Sequence, residues 1–459
     1  MITVHNPADG SVVGQIENHN AEDVRAAIGR AQAAFKPWAG MLAIERRDVL
    51  KKWHDLMKAA KDEIAAIMTA ENGKPLAESK GEIDYALGFV DWYAEEGRRA
   101  YGDTIPTHVK DGRAMVIKQP IGVVCAITPW NFPLGMVTRK VCPALAAGCT
   151  VILKPAEATP LTALKALELA RQAGIPEDVF QIVTGDPKVI GEVMTTDSRV
   201  AALSFTGSTD VGRLLMKQAS STVKKLTMEL GGNAPFVVFE KANIDEAVKG
   251  LMFAKFRNAG QVCIAPNRVF VQKSIFDEFA KKLVPLVEKL KVGNGKDDGV
   301  QVGPLINKAG FDKVESLVTK AVANGAKVLT GGKKHDAGDL FYTPTVLTNI
   351  PADQAITCTE IFGPVIVLYP FDDEAEAIRL ANDTEFGLVG YAYTTDLGQA
   401  FRVSEAMEVG MAVINTGSVG MASVPFGGVK QSGYGREGSH YAVDEYMNIK
   451  YVMMGGLNT

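Results

Sequence analysis

The chain has 459 residues, of which 47% are hydrophobic and 22% are charged. This length and composition indicate a folded protein of two or more domains and exclude wholesale disorder. The formal net charge is −4, which gives no reason to expect nucleic acid or an anionic membrane as a partner. The sequence has no run of about 18 apolar residues, so no transmembrane helix is predicted.

The cysteines and histidines indicate neither disulfides nor a metal site. Five cysteines are present, an odd number without a CxxC pair, which is typical of reduced thiols in a cytosol-like compartment. The first residues lack the basic and apolar blocks of a secretory signal, so we expect a cytoplasmic protein. The six histidines are scattered, and no cluster has the spacing of zinc ligands.

The first hundred residues are predicted to be helical. Apolar residues recur at helical spacing over 21–35 and again over 50–64, and a third helix is predicted over roughly 82–99. The segment 101–119, which contains glycines and a proline, interrupts this pattern and is predicted to be an arm between larger units.

From residue 121 onward, short apolar runs alternate with helical patterns. Strands are predicted over 121–127, 150–153, 179–183, 200–205 and 225–228, with helices such as 161–173 and 210–219 between them. Further strands are predicted over 235–239, 268–271, 365–369 and 411–414, and a helix over 243–257. Short strands separated by helices indicate βαβ units and parallel sheets.

The last stretch, 446–454, is apolar and alternating. No later segment can cover it, so it is expected to pair with the sheet edge of another subunit. A homodimer or homotetramer is therefore expected.

Two strand ends carry the features of a dinucleotide site, although neither GxxxxGK[ST] nor GxGxxG occurs. Gly207 and Ser208 follow a strand and open a helix, where backbone N–H groups can face a pyrophosphate. An ordinary helix cap by Ser208 is the alternative. Lys154 and Glu157 follow another strand; Lys154 could donate to ribose hydroxyls and Glu157 could accept from the 2′-hydroxyl. That carboxylate would repel a 2′-phosphate, which favours NAD over NADP, and a solvated Lys–Glu pair is the alternative.

Three residues form a candidate catalytic set. Cys263 lies on a glycine-containing turn after a helix, whereas most other cysteines lie among apolar residues and are predicted to be packing residues. Glu229, at a strand end before two glycines, is a candidate base, with a structural carboxylate as the alternative. Asn131 lies between two prolines after a strand and suits an oxyanion hole, although a turn asparagine has the same pattern.

Seven short motifs, in order and spacing, resemble the aldehyde dehydrogenase superfamily over nearly the whole chain. They are Pro129-Trp130-Asn131-Phe132-Pro133, Lys154-Pro155-Ala156-Glu157, Phe205-Thr206-Gly207-Ser208, Glu229-Leu230-Gly231-Gly232, Gly260-Gln261-Val262-Cys263, Glu360-Ile361-Phe362-Gly363-Pro364 and Pro425-Phe426-Gly427-Gly428. The resemblance implies a Rossmann-like cofactor domain from 1–100 and 120–231, an α/β catalytic domain over 232–430, and a small β oligomerisation domain from 101–119 and 440–459.

The resemblance also implies roles for individual residues. Cys263 would be the nucleophile, Glu229 the base, and Asn131 with the Cys263 N–H the oxyanion hole. The residues that would bind the dinucleotide, NAD or alternatively NADP, are Thr128, Pro129, Trp130, Lys154, Glu157, Gly207, Ser208, Glu360 and Phe362.

Within the superfamily, the segments 138–140, 154–157 and 256–261 are most similar to succinate-semialdehyde dehydrogenases. In that subfamily the arginines that match Arg139 and Arg257 bind the distal carboxylate of the substrate, a role that suits a permanently charged guanidinium with paired donors. Internal ion pairs are the alternative for both arginines.

Three positions depart from the subfamily pattern. Gly420 stands where a serine is expected, so one carboxylate contact is missing. Ala265 stands where some members carry a second cysteine that acts as a redox switch. The usual N-terminal lead-in is also short.

The sequence therefore predicts NAD(P)-dependent oxidation of an aldehyde, succinate semialdehyde first, through a thiohemiacetal and a thioester on Cys263. Glutarate semialdehyde and lactaldehyde are alternative substrates. A CoA-acylating dehydrogenase and a non-catalytic binding protein of the same fold are the other hypotheses, and both are disfavoured by the intact catalytic set.

Overall fold

The structure, a computed structural model, describes residues 1–351 and 354–457. Its α-helices are α1 Ala21–Ala39, α2 Ala43–Ala59, α3 Lys61–Asn72, α4 Leu76–Glu96, α5 Gly135–Ala147, α6 Leu161–Ala173, α7 Pro187–Thr196, α8 Thr209–Ala219, α9 Ile244–Phe256, α10 Phe276–Glu288, α11 Lys308–Ala323, α12 Ala355–Cys358, α13 Glu374–Asn382, α14 Leu397–Ala406 and α15 Tyr441–Glu445. Its strands are β1 Ile2–His5, β2 Val12–Ile16, β3 Thr104–Ile105, β4 Arg113–Pro120, β5 Val123–Ile127, β6 Thr150–Lys154, β7 Phe180–Ile182, β8 Val200–Thr206, β9 Lys225–Glu229, β10 Ala234–Val238, β11 Pro266–Gln272, β12 Lys327–Thr330, β13 Thr345–Thr348, β14 Val365–Phe371, β15 Phe386–Gly387, β16 Val389–Tyr393, β17 Met411–Ile414, β18 Val429–Lys430, β19 Gly433–Tyr434 and β20 Met447–Met454.

The first large sheet has the strand order β19-β9-β8-β5-β6-β7. Strands β5 to β9 run parallel, whereas the short β19 pairs antiparallel with β9. The inner strands are buried on both faces, as β6 is along its whole length, which explains their continuous apolar sequence. Because parallel strands end at one edge, the residues after β5, β6, β8 and β9 lie at the same side of the sheet.

The second large sheet has the order β12-β13-β14-β11-β10-β16-β17. Its strands run parallel except β12, which pairs antiparallel with β13. The turn that carries Cys263 lies between α9 and the start of β11. The predicted fold class, a Rossmann-like parallel-sheet unit with a second α/β unit and a small β arm, is confirmed. The domain boundaries remain predictions.

The first hundred residues are not wholly helical, so that prediction was wrong in part. Ile2–His5 and Val12–Ile16 form an antiparallel hairpin. Each of these strands buries only one residue, Val4 in one and Ile16 in the other, and two such short segments leave no clear alternation in the sequence. The apolar pattern over 50–64 also spans two helices, since α2 ends at Ala59 and α3 begins at Lys61.

The arm is a three-stranded antiparallel sheet of order β20-β4-β3. The final strand pairs along its length with β4 of the same chain, from Met447 opposite Pro120 to Met454 opposite Arg113. The strand is therefore covered along one edge by the arm 101–119 of its own chain, so the expectation that it is left uncovered was wrong, whereas the small β unit of both segments that the resemblance implied is present. Ile449 and Tyr451 on β20 remain largely exposed.

Helices α2, α3 and α4 pack around α5 and α6 against one face of the first sheet. Trp53 and Tyr93 are fully buried there, and this layer fixes α4 beside the start of α5. Among the described residues, none of the helices combines the length and the apolar character needed to span a membrane.

Candidate active site

Cys263 is held at the end of a strained turn. Asn258, Ala259 and Gly260, which precede it, have positive φ angles of 49°, 54° and 75°. A β-carbon on Gly260 would lie 2.1 Å from the carbonyl oxygen of Gly363, so only glycine fits there. Such left-handed residues cost free energy, which surrounding contacts must offset.

Contacts from α4 and from the loop before α5 hold this turn. The backbone N–H of Asn258 donates to Glu78 Oε2 at 2.7 Å, and its side-chain Nδ2 donates to the carbonyl of Asn131 at 3.0 Å. Burial raises the pKa of Glu78 to about 7. The nucleophile candidate is therefore positioned by residues from both halves of the chain.

The Cys263 side chain is half-buried. Burial raises the pKa of its thiol to about 12, and the Arg139 guanidinium opposes this rise. At neutral pH the thiol is therefore protonated. Formation of the reactive thiolate requires a base that accepts its proton or a further positive charge that lowers its pKa.

Glu229 ends β9 and is buried, and neither of its carboxylate oxygens has a hydrogen-bond partner within the described residues. Burial and the neighbouring Glu437 carboxylate raise the pKa of Glu229 well above its ordinary value. A β-carbon on Gly427 would lie 2.8 Å from Glu229 Oε1, so a glycine leaves room for this carboxylate. A buried carboxyl group without partners is costly and marks a functional candidate.

The Asn131 side chain lies beside the Cys263 turn. Its Nδ2 donates to the carbonyl of Gln261 at 3.1 Å, and the backbone carbonyl of Asn131 accepts from Lys74 Nζ at 2.7 Å. An amide nitrogen carries two N–H donors, so the second N–H of Asn131 remains available to an oxyanion on a substrate bound to Cys263.

A cavity of about 410 Å³ opens from Cys263 between the two α/β units. Its lining residues are Lys74, Ala77, Glu78, Gly81, Glu82, Tyr85, Phe132, Met136, Arg139, Phe253, Arg257, Val262, Cys263, Ile264, Ser418, Gly420 and Phe426. The lining is mostly apolar, with a few charged groups aimed into it, which is typical of a small-molecule site.

Arg139 lies on α5 and forms a buried ion pair. Its Nε donates to Glu437, which also accepts from the buried Lys140 ammonium. Its guanidinium carbon lies 4.1 Å from the centre of the Phe426 ring. Although burial alone would raise the pKa of Glu437, these two cations hold it below its ordinary value. The internal ion pair, one of the two alternatives for this arginine, is thus present, yet Arg139 still lines the cavity.

Arg257 differs, because it has no salt bridge in the part of the chain that the structure describes. Among the described residues its Nε has no hydrogen-bond partner, and its guanidinium lies 5.4 Å from the ring centre of Phe132 and 5.6 Å from that of Phe253. A half-buried cation without a paired carboxylate is suited to an anionic ligand.

The residues predicted to bind a dinucleotide meet at the carboxyl edge of the first sheet. The Thr128 N–H donates to the Lys154 carbonyl at 3.1 Å, and the Gly207 N–H donates to the Glu229 carbonyl at 3.0 Å. Lys154 Nζ donates to Glu157. Ser208 caps α8, since its Oγ accepts from the Val211 N–H at 3.4 Å, so the helix-cap alternative is also present.

Two further features fit a bound dinucleotide. Among the described residues, the Thr128 hydroxyl is buried without a hydrogen-bond partner, so it is free to bond a ligand. Only glycine fits at position 207, because a β-carbon there would lie 2.4 Å from the Phe205 ring, and the turn after β8 therefore carries no side chain at this position.

Glu360 and Phe362 reach this edge from the second α/β unit. Glu360 Oε1 accepts from the Gly232 N–H at 3.2 Å, and burial raises the pKa of Glu360 to about 7. The Phe362 ring meets the edge of Trp130, which follows Pro129, with ring centres 5.5 Å apart. The structure therefore brings residues of both units to one cleft next to Cys263.

Sequence reasoning missed several residues of the cavity wall. Glu78, Glu82 and Tyr85 project from one face of α4, because residues four and three apart along a helix are neighbours. Polar residues at this spacing within an apolar helical pattern were a usable signal. No local signal pointed to Glu437, which meets Arg139 from 298 positions away in the sequence.

Comparison with known proteins gives one consistent result. Residues 1–452 match the model of the Aldehyde dehydrogenase family. A succinate-semialdehyde dehydrogenase [NADP(+)] of Escherichia coli is 51% identical over 454 residues, which cover 99% of this chain and 94% of that protein. A glutarate-semialdehyde dehydrogenase of Pseudomonas aeruginosa is 50% identical over 456 residues, covering 99% and 94%.

The fold comparison agrees with the sequence comparison. The crystal structure of succinate-semialdehyde dehydrogenase from Burkholderia pseudomallei superposes with a TM-score of 0.98 at 52% identity, over 99% of this chain and 94% of that one. The chain belongs to the aldehyde dehydrogenase family.

Proposed function

We propose that this protein oxidises succinate semialdehyde to succinate with a nicotinamide dinucleotide. The observation that carries the proposal is that one cavity holds both the Cys263 thiol and the two arginines Arg139 and Arg257. A four-carbon aldehyde acid has its reactive carbonyl at one end and its carboxylate at the other. The cavity offers a nucleophile for the first and cations for the second.

The chemistry starts at Cys263. Its thiolate attacks the aldehyde carbon, and the oxyanion is held by Asn131 Nδ2 and the Cys263 N–H. The bound dinucleotide supplies a hydride acceptor. Loss of hydride from the thiohemiacetal leaves a thioester on Cys263, and water then attacks the thioester carbonyl while Glu229 takes the proton from that water. The C–S bond breaks, and the acid and the free thiol are released.

For the dinucleotide we propose contacts with Lys154 and Glu157 at the adenosine ribose, the turn at Gly207 and Ser208 at the pyrophosphate, and Glu360 at the nicotinamide ribose. The Glu157 carboxylate disfavours a 2′-phosphate through charge repulsion, which favours NAD. The ion pair with Lys154 weakens that repulsion. Rates with NAD and NADP at equal concentrations test the proposal, and a preference for NADP contradicts it.

Replacing the nucleophile tests the mechanism most directly. Cys263→Ala should abolish steady-state turnover, because no other group in the described cavity can form the thioester. The measurement is NADH absorbance with succinate semialdehyde as substrate. Steady-state activity close to that of the wild type would contradict the proposal.

Replacing the base gives a different expected result. Glu229→Gln should release one equivalent of NADH per site in a rapid burst and then turn over slowly, because hydride leaves before water is activated. Stopped-flow absorbance separates the two phases. Absence of the burst would indicate that Glu229 acts before hydride transfer and would contradict its proposed role in activating water.

The substrate assignment is tested with a matched pair of aldehydes, succinate semialdehyde and butanal, which share chain length and differ in the carboxylate. Charge-assisted hydrogen bonds contribute about 1.5–3 kcal/mol each, so kcat/KM should be about 10–150-fold higher for the acid. A preference for butanal would reject the carboxylate site while leaving aldehyde oxidation intact.

Glutarate semialdehyde is a second candidate. It carries the same terminal carboxylate with one more methylene, the cavity of about 410 Å³ is large enough for either chain length, and the Pseudomonas aeruginosa relative bears that name. Comparing kcat/KM for the two acids decides between them. Lactaldehyde lacks the carboxylate that the arginines would bind and is disfavoured.

We also propose that the chain forms a homodimer or homotetramer. The apolar side chains of Ile449 and Tyr451 on β20 are 73% and 60% exposed, and a neighbouring subunit would cover them. Light scattering at micromolar concentration tests this, and a monomeric mass contradicts it.

A further inference from the structure

We propose that the Tyr85 hydroxyl donates a hydrogen bond to the distal carboxylate of the substrate and so helps to select carboxylate-bearing aldehydes. This inference rests on the proposed function, since it names a further contact in the same cavity. Tyr85 belongs to α4, in the part of the chain that the sequence analysis assigned to no site.

The position of the Tyr85 ring is defined by packing. The residue is half-buried and lines the cavity together with Cys263 and Arg257. Its ring meets Phe89 edge to face, with ring centres 4.9 Å apart. A ring held in this way presents its hydroxyl at a fixed point of the cavity wall, at little cost in side-chain entropy on binding.

The hydrogen bonding of Tyr85 leaves its proton available. Arg139 Nη1 donates to the Tyr85 hydroxyl oxygen at 3.4 Å. A guanidinium can only donate, so the tyrosine oxygen is the acceptor in this contact. The described residues provide no acceptor for the hydroxyl proton of Tyr85, which is therefore free to point at a ligand.

A second donor lies on the same guanidinium. Arg139 Nε donates to Glu437 and Nη1 donates to Tyr85, whereas the buried Nη2 has no hydrogen-bond partner among residues 1–351 and 354–457. Nη2 and the Tyr85 hydroxyl are thus neighbouring donors, and a carboxylate has two oxygens that can accept from both. The chemical class that fits this pair is a carboxylate.

Gly420 provides the space that Tyr85 occupies. A β-carbon at this position would lie 3.1 Å from Cε2 of the Tyr85 ring and 3.3 Å from its hydroxyl. Any side chain at 420 would therefore force the ring to shift by a few tenths of an ångström. Because position 420 is a glycine, the Tyr85 ring and its hydroxyl can occupy the space that a side chain at 420 would fill.

The test is Tyr85→Phe, assayed with succinate semialdehyde and with butanal under saturating NAD. The KM for succinate semialdehyde should rise about tenfold or more, as expected for a lost hydrogen bond to a charged group. Its kcat, and kcat/KM for butanal, should change less than about twofold. An unchanged preference for the acid overturns the inference, and so does an equal loss with both aldehydes.

Tyr93→Phe is the matched control on the same helix. The buried Tyr93 hydroxyl has no hydrogen-bond partner in the described part of the chain, and Tyr93 does not line the cavity, so loss of this hydroxyl should leave the selectivity unchanged. Gly420→Ala should raise the KM for the acid by a smaller factor, because it displaces the Tyr85 ring without removing the hydroxyl. In the Tyr85→Phe background the same change should have little further effect on KM.

Two other outcomes separate the inference from its premise. If the wild-type protein does not prefer succinate semialdehyde over butanal, both the proposed substrate and the Tyr85 contact are wrong. If Ser418→Ala loses the preference while Tyr85→Phe keeps it, the substrate stands and the hydroxyl contact belongs to Ser418, which overturns the inference.

Discussion

The two arginines of the cavity occupy opposite electrostatic situations. Arg139 on α5 shares the Glu437 carboxylate with Lys140, whereas Arg257 beside the strained turn lies among aromatic rings without a salt bridge in the described structure. Both side chains line the same cavity. One is fixed by the protein's own counter-charge, and the other has its charge available to a ligand.

The ion pair fixes the position of the Arg139 side chain, whereas the unpaired charge of Arg257 contributes to the affinity for an anionic ligand. Two buried cations share one buried carboxylate at Glu437, so the pair orients Arg139 without neutralising the site completely. Arg257 is half-buried and has no paired carboxylate among the described residues, so an anionic substrate would supply its counter-charge. We therefore expect the Glu437 cluster to govern the stability of the fold, and Arg257 together with the Arg139 and Tyr85 donors to govern the selectivity for anionic aldehydes.

The largest expected effect comes from breaking the paired site. Glu437→Gln leaves Arg139 and Lys140 buried without a counter-charge, which should lower the free energy of unfolding by about 3–5 kcal/mol. Urea denaturation followed by fluorescence measures this loss. Glu385→Gln, which breaks an exposed pair with Arg213, is the control and should cost far less. An equal loss in both variants would show that the buried cluster has no special role.

A smaller effect on stability, with a clear effect on selectivity, is expected from the unpaired site. Arg257→Met removes the charge and keeps much of the apolar stem. It should raise the KM for succinate semialdehyde about 10–100-fold through the loss of a charge-assisted contact, with little change for butanal. The free energy of unfolding should change much less than in Glu437→Gln, because Arg257 is only half-buried and has no salt bridge to lose within the described structure. A fall in stability as large as that of Glu437→Gln would show that the two arginine sites are alike.

The smallest expected effect is on the reactivity of the Cys263 thiol, which lines the same cavity as the two arginines. With a thiol pKa of about 12, the thiolate fraction of Cys263 should grow about tenfold per pH unit from pH 7 to pH 9, without a plateau. Alkylation by iodoacetamide in a Cys358→Ser background measures it, because Cys358 is an exposed free thiol. Both arginines lower this pKa and Arg139 has the larger influence, so Arg257→Met should slow alkylation by only about twofold. A plateau below pH 8 would contradict the high pKa.

Much of the fold could be predicted from local pattern. The helix α6, Leu161–Ala173, and the strand β17, Met411–Ile414, agree with their predicted bounds at both ends, because each is a local apolar pattern with a clear beginning and end in the sequence. The hairpin of β1 and β2 was missed, since its strands bury one residue each. The grouping of β20 with β4 followed only from the family resemblance, because the two strands are more than 300 residues apart and no periodicity encodes a partner.

The residues of the candidate site could also be predicted in part from local sequence. Cys263, Glu229 and Asn131 were selected by residue type at the ends of strands and helices. The structure places Cys263 in the wall of the cavity and the Asn131 side chain against the turn that carries Cys263, whereas Glu229 is buried at the end of β9 outside the cavity lining. Their roles remain predictions until the variants are measured.

The sequence alone determined the type of each element and the chemistry at each strand end, because backbone periodicity and residue type are local properties. Only the tertiary structure decided which charges meet. Arg139 and Arg257 were equal candidates in the sequence. They differ in the fold because Glu437 reaches Arg139 from a distant part of the chain, whereas no carboxylate of the described residues forms an ion pair with Arg257. Desolvation and Coulomb energies depend on distances in space, so the partners of a buried charge follow from the packing of the whole chain.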